Sequence, residues 1–247
     1  QYGRERLVDL GHRSVSLPHG LRTGLPSFPA VGRVSREPVR ETTEQVKEVL
    51  ERELKWDVDE QFALPDLGDI AGGDVEHTTV HLDTVYYDTA DGDLQSHGLL
   101  LRRRDGGDDT GWQLKVPDDD GRVEIRSTLT DTPPAELTDL LTGVRLGKPL
   151  VQVATIRTVR DRYRITEPKR QRLWAEVADD HVRASTDHRL LAWREIEVEL
   201  GPGAPSLPPG LVDRFADAGA QPARFPSKLA RLSHAQRTRR PGRTSAG

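Results

Sequence analysis

Charged and apolar side chains alternate with period 2 at both ends of the patterned region. Glu51-Arg52-Glu53-Leu54-Lys55 places Glu51, Glu53 and Lys55 on one face of a strand, and Glu195-Ile196-Glu197-Val198-Glu199 does the same with three carboxylates. Side chains along a strand alternate faces, so Leu54, Ile196 and Val198 turn the other way. Apolar outside and charged inside, such strands suit the wall of a wet, charged cavity. Patterning predicts strands over Val46–Asp57, Thr78–Tyr87, Leu99–Arg104, Gly111–Val116, Arg122–Leu129, Val151–Ile165, Leu173–Val177, His181–Ser185 and Leu190–Leu200. Asp/Gly clusters at Asp88–Gly92, Asp105–Asp109 and Asp118–Gly121 mark turns. In Pro133–Leu146 the period becomes helical, with Leu137, Leu140, Leu141 and Val144 on one face and Gly147 as the stop. Gly210–Ala218 reads as a second short helix, and Lys228–Leu232 is the last patterned piece. Short hairpins favour an antiparallel sheet, and about eight strands is a natural number for closure into a barrel.

Outside these elements the pattern fades. Residues 1–45 read as an irregular, disordered N-terminal extension, 46–232 as one folded domain, and 233–247 as a basic tail or linker. Only 34% of the 247 residues are hydrophobic and 31% are charged, which points to tails plus a charged interior. A formal charge of −4 argues against a generally DNA-binding or membrane-attracted surface, so any anion site must be a local concentration of Arg and Lys. The absence of cysteine excludes disulfides and thiolate metal sites and is compatible with a reducing compartment; a cytoplasmic location is expected. No apolar run approaches the ~20 residues of a membrane span, and no signal peptide is visible. With no Met even at position 1, the chain reads as a fragment or an extended reading frame.

Further charge lies on strand faces. Arg102 and Arg104 alternate against Leu101 and Arg103, Lys115 against Leu114, and Arg160, Arg162 and Arg164 against Tyr163 and Ile165. Glu176 alternates against Ala175 and Val177, and Lys228 follows Pro226-Ser227 at an element start. One Glu-x-Glu-x-Lys suits a solvated strand face equally well, but six such pieces in one chain do not. Cations and carboxylates on one enclosed surface need a reason, since an unpaired buried charge costs on the order of several kcal/mol. A divalent metal plus an oligophosphate supplies it: carboxylate oxygens suit Mg2+ or Mn2+, and Arg forks match phosphate oxygens. The four tryptophans read as packing residues, and the eight histidines, His77 and His81 included, show no ligand spacing.

In order and spacing, these pieces resemble the CYTH superfamily, the triphosphate tunnel metalloenzymes. The resemblance rests on Glu51-x-Glu53-x-Lys55, Tyr86-Tyr87-Asp88-Thr89, Leu101-Arg102-Arg103-Arg104, Gly111-Trp112-Gln113-Leu114-Lys115, Arg160 before Tyr163, Ala175-Glu176-Val177, Glu195-x-Glu197-x-Glu199 and Ser227-Lys228-Leu229, and covers about residues 46–232. It implies a mainly β (α+β) fold: an eight-stranded antiparallel closed tunnel, a β-barrel, with flanking helices. It implies metal binding by Glu51, Glu53, Glu195 and Glu197, with Glu176 as an additional ligand or water-orienting residue. Phosphates would be clamped by Lys55, Arg102, Arg104, Lys115, Arg160 and Lys228, with Arg162 on the same side as Arg160. Glu53, Glu176 and Lys55 would be the catalytic residues, with Glu199 at the edge of the pattern and Glu124 and Arg126 as second-tier candidates. The implied reaction is metal-dependent hydrolysis of a terminal phosphoanhydride in inorganic triphosphate, polyphosphate or an organic triphosphate, without membrane or sequence-specific nucleic acid. A class IV-type adenylate cyclase and a non-catalytic polyphosphate-binding module are the alternatives. Val153–Thr158 and Glu176–Val182 look most like bacterial members fused to a C-terminal CHAD domain.

Overall fold

The alternating segments pair into a single antiparallel sheet of ten strands. A computed structural model describes residues 47–72, 74–119, 121–186 and 189–237; the expected irregular segment 1–45 and residues 238–247 of the expected tail lie outside them. In chain order the elements are β1 (Lys47–Glu51), β2 (Glu53–Val58), α1 (Leu67–Ala71), β3 (Val75–Asp88), α2 (Asp93–Ser96), β4 (Leu100–Asp105), β5 (Gly111–Asp118) and β6 (Gly121–Ser127). There follow α3 (Ala135–Leu140), α4 (Thr142–Arg145), β7 (Val151–Thr166), β8 (Leu173–Thr186), β9 (Arg189–Leu200), α5 (Leu211–Asp217), β10 (Gln221–Pro222) and α6 (Lys228–Arg237). No described helix is long and apolar enough to cross a membrane.

The sheet runs β1-β6-β5-β4-β3-β7-β8-β9-β2-β10, which corrects two expectations. Among the described residues it has ten strands rather than eight, and no ladder closes it into a barrel. The predicted strand Val46–Asp57 breaks at Arg52: its first half pairs with β6, and its second half pairs with β9. The Arg52 carbonyl accepts from Leu200 N at 2.9 Å, and its guanidinium donates to the Ala204 carbonyl at 2.9 Å. Chain continuity at Arg52, not a hydrogen-bonded seam, therefore links β1 to β2. The short β10 adds a further strand to the β2 edge. Conversely, the separately predicted Leu173–Val177 and His181–Ser185 are one continuous strand, β8. The β5–β6 turn passes close beneath this junction; a Cβ on Gly121 (φ +148°) would lie 2.3 Å from the Glu51 carbonyl oxygen, so only glycine fits.

Helices cover the sheet where its residues are apolar. Trp56, Val177, Ile196 and Val198 pack under Leu211 and Phe215 of α5. Leu101, Trp112, Leu114 and Ile125 pack under Leu137 and Leu141, the predicted helix having divided at Leu141 into α3 and α4. On the opposite face, Ala154 and Ile156 of β7 and Val182 and Ala184 of β8 receive Leu229 and Leu232 of α6. The same side of β7 and β8 carries Arg160, Arg162, Arg164 and Glu176 farther along, because period 2 keeps these positions together. That face is thus apolar under α6 and charged beyond it.

Candidate active site

Residues of β1 through β9 converge on one cavity of about 1040 Å³, open space at its mouth included. Ten cationic side chains and seven carboxylates line it, including every predicted site residue except Glu195 and the second-tier Glu124. The register explains the convergence. One row across the sheet is Glu53, Glu199, Glu176 and Arg164; the next is Lys55, Glu197, Ala178 and Arg162; the third is Asp57, Glu195, Asp180 and Arg160. Glu195 belongs to the third row, which lies against α6: Trp193 Nε1 donates to its Oε2 at 2.5 Å, and Arg231 of α6 pairs with Asp57 at 2.7 Å.

At the α6 end every carboxylate has a cation. Arg160 donates to both oxygens of Asp180 at 2.7 Å and to Glu197 at 2.6 Å, and Lys55 donates to Glu197 at 2.6 Å. Lys228 Nζ lies 2.8 Å from Asp180, 2.8 Å from Glu197 and 2.7 Å from Glu195, the last an ion contact without hydrogen-bond alignment. Burial works against the ionised form of Glu197, but Lys228, Lys55 and Arg160 hold its carboxyl well below the ordinary range. Asp180 is likewise lowered against burial by Arg160 and Lys228, and burial of Lys228 is overcome by its three carboxylates, which raise it well above its ordinary value. Asp180, Glu195 and Glu197 bring carboxylate oxygens within 4.8 Å of one another, close enough to hold a metal ion, yet the Lys228 ammonium already sits among them.

At the other end carboxylates outnumber their partners. Lys115 donates to Glu51 at 2.5 Å; Glu53 has Lys55 at 3.4 Å and Arg122 at 3.9 Å. Glu176 and Glu199 form no ion pair with any described residue. Burial raises the Glu51 carboxyl despite Lys115, and raises Glu176 despite Arg162 and Arg160. Glu199 is pushed up to about 7, by burial first and then by Glu51, with Lys115 opposing. Glu53 alone of the four is lowered: burial pushes it up, but Lys55, Lys115 and Arg122 together overcome that. Four carboxylates short of positive charge offer the oxygen chemistry a hard divalent cation takes, whereas among the described residues the carboxylates whose oxygens gather within 4.8 Å of one another are Asp180, Glu195 and Glu197.

The cations crowd beyond this row. Arg102 Nε donates to Gln113 at 2.5 Å and Nη2 to Glu124 at 3.4 Å; Glu124, fully buried, also meets Lys115 at 3.3 Å and Arg126 at 2.5 Å. Burial and the neighbouring Arg102 pull Arg104 below its ordinary value. Arg104 and Arg162 donate to Asp109 and Asp108, each at 2.6 Å. Asp108, Asp109 and Asp180 were not among the predicted site residues, although Asp180 lies two period-2 steps from Glu176.

The fold and this charged cavity define the CYTH class: the chain matches the CYTH domain family over residues 49–231 and belongs to it. Uncharacterized proteins from two strains of Mycobacterium tuberculosis are each 38% identical over 205 residues, covering 74% of this chain. The chain spans 40% of the length of these relatives. A solved Bacillus halodurans protein, provisionally named an adenylate cyclase, is 19% identical with a TM-score of 0.52 over 75% of this chain and 98% of that chain, a likeness of fold. A solved Hippeastrum protein, provisionally named an adenylyl cyclase and reported with a dominant triphosphatase activity, is 17% identical with a TM-score of 0.42, covering 75% and 96%.

Proposed function

We propose that the cavity binds a chain of phosphates and hydrolyses a terminal phosphoanhydride with the help of a divalent cation. The convergence of ten cationic side chains and seven carboxylates on one enclosed space supports this, because phosphate oxygens suit the cations and a divalent cation suits the carboxylates. Glu51, Glu53, Glu176 and Glu199 would hold Mg2+ or Mn2+, which when bound neutralises charge on phosphate oxygens. Glu197, named with Glu195 as a metal ligand from the sequence, is better suited to anchor Lys55, Arg160 and Lys228, whose ammonium takes a metal's place beside both. Arg102, Arg104, Lys115 and Arg162 would orient the phosphates for in-line attack, and Lys55, between Glu53 and Glu197, would face the scissile group. Glu176 forms no ion pair with any described residue and would accept the proton of the attacking water.

The decisive assay measures phosphate release from inorganic triphosphate, ATP, thiamine triphosphate and long-chain polyphosphate, with Mg2+ or Mn2+ and with neither. Release of one phosphate per triphosphate, dependent on the metal and abolished by E53Q, is expected. Silence on all four substrates with both metals would refute it, and cyclic AMP from ATP would replace hydrolysis with cyclisation.

A further inference from the structure

The cations of the cavity divide by what neutralises them. Lys55, Lys115, Arg160 and Lys228 pair with carboxylates fixed on strands: Glu197, Glu51 and Asp180. Among the described residues, Arg104 and Arg162 find their ion-pair partners only in the β4–β5 connection. Asp109 Oδ2 accepts from Arg104 Nη1, and Asp108 Oδ2 from Arg162 Nη1, each at 2.6 Å. Their other side-chain partners are neutral hydroxyls, Thr84 at 3.3 Å and Thr78 at 3.2 Å. Arg104 is only 5% exposed, so a loop aspartate is the counter-ion of a buried guanidinium.

The connection is built to reach inward. Gly106 and Gly107 both adopt left-handed backbone, φ +91° and +76°, and a Cβ on Gly106 would lie 2.1 Å from the His81 carbonyl oxygen. Gln113 Nε2 donates to the Asp109 carbonyl while its Oε1 accepts from Arg102, tying the loop to a third cation. Carboxylate and phosphate oxygens address the same face of a guanidinium, so an aspartate on Arg104 stands where a phosphate would stand. The Asp108 side chain is 74% exposed, and an ion pair so wetted is easily exchanged.

We propose that Asp108 and Asp109 form an anionic gate: internal counter-ions that hold Arg162 and Arg104 until an incoming phosphate chain displaces them. The gate rests on the oligophosphate reading above. It makes entry a competition, which a multiply charged chain wins and a singly charged anion does not.

The test compares wild type with D108N, D109N and the double variant, and with D139N on the exposed surface of α3 as a control for net charge. Inorganic triphosphate is titrated calorimetrically with chelator present, and KM and kcat are then measured with Mg2+. Each cavity variant should bind triphosphate up to about tenfold more tightly, the scale of one charge-assisted hydrogen bond, and the double variant more tightly still. D139N should stay within about twofold of wild type, as a remote surface charge does. KM should fall in step while kcat does not rise. Wild type that binds triphosphate, alongside Asn variants that bind it equally or less well, would overturn the gate alone. If wild type neither binds triphosphate with chelator nor hydrolyses it with Mg2+, the oligophosphate reading falls as well.

Discussion

Two parallel hydrogen bonds of 2.7 Å join Arg160 to Asp180, Nε to Oδ1 and Nη2 to Oδ2. Asp180 has no solvent exposure and also lies 2.8 Å from Lys228 Nζ, so one carboxylate positions two cations of the cavity. Removing one partner of such a buried pair costs about 3–5 kcal/mol. D180N keeps the shape and removes the charge. It should lower the melting temperature and reduce kcat/KM by roughly 10²-fold, the penalty of misplaced catalytic groups. Thermal melts and initial rates check this; an unaltered melting temperature would show the fork to be dispensable.

Glu195 and Glu199 stand two residues to either side of Glu197, yet one contacts Lys228 beside α6 and the other shares a row with Glu53 and Glu176. E199Q should lose most metal-dependent turnover, whereas E195Q should keep its metal dependence and lose stability through Lys228. Activity against Mg2+ concentration separates them. A rightward shift of the metal curve in E195Q, with none in E199Q, would reverse the assignment.

The raised carboxyl of Glu199, about 7 against an ordinary 4.5, has a consequence for metal-free stability. Between those values the folded chain holds a proton that the unfolded chain has released, so this group's contribution to stability falls as pH rises through the window. Glu51 and Glu176 act in the same direction, and the lowered Glu53 and Asp180 in the opposite one, losing stability as pH falls through their folded values. E199Q cannot ionise. Its melting temperature minus that of wild type should therefore grow from about pH 4.5 to about pH 7 and level off above. Mg2+ at neutral pH should narrow the difference, since it favours the ionised carboxylate.

Gly106 and Gly107 should not tolerate alanine equally. Added to Gly106, a Cβ meets backbone, the His81 carbonyl oxygen; added to Gly107, it meets a side-chain methyl, Leu82 Cδ2, at 3.1 Å. G106A should cost roughly 1–3 kcal/mol, the usual penalty for strained backbone, and G107A less. Denaturant midpoints for the two variants check the order.

Much of the cavity was legible because period 2 survives from sequence to structure. Arg102, Arg104, Arg160, Arg162, Glu176 and Glu197 all line it, as their alternation required. Asp180 escaped because Ala178-Asp179-Asp180 looks like a turn between two short strands, whereas β8 runs straight through it and aims Asp180 at Arg160. Asp109 escaped for a related reason: Asp105–Asp109 has turn chemistry, and nothing local says that the turn folds back onto Arg104. The strand count differed through the short β10 and through Arg52, whose neighbours keep perfect alternation while the pairing partner changes from β6 to β9. A change of partner leaves no trace in side-chain period. The placement of Glu195 against α6 likewise depends on Lys228 and Arg231, which arrive from the far end of the chain.

Lys47–Glu51 pairs with residues 122–126, but Glu53–Val58, which follows directly, pairs with residues 194–199 and 221–222. This second half leaves the ribosome early and finds its partners only when almost the whole domain has been synthesised, a long-range dependence that slows folding and leaves a nascent strand open to the wrong neighbour.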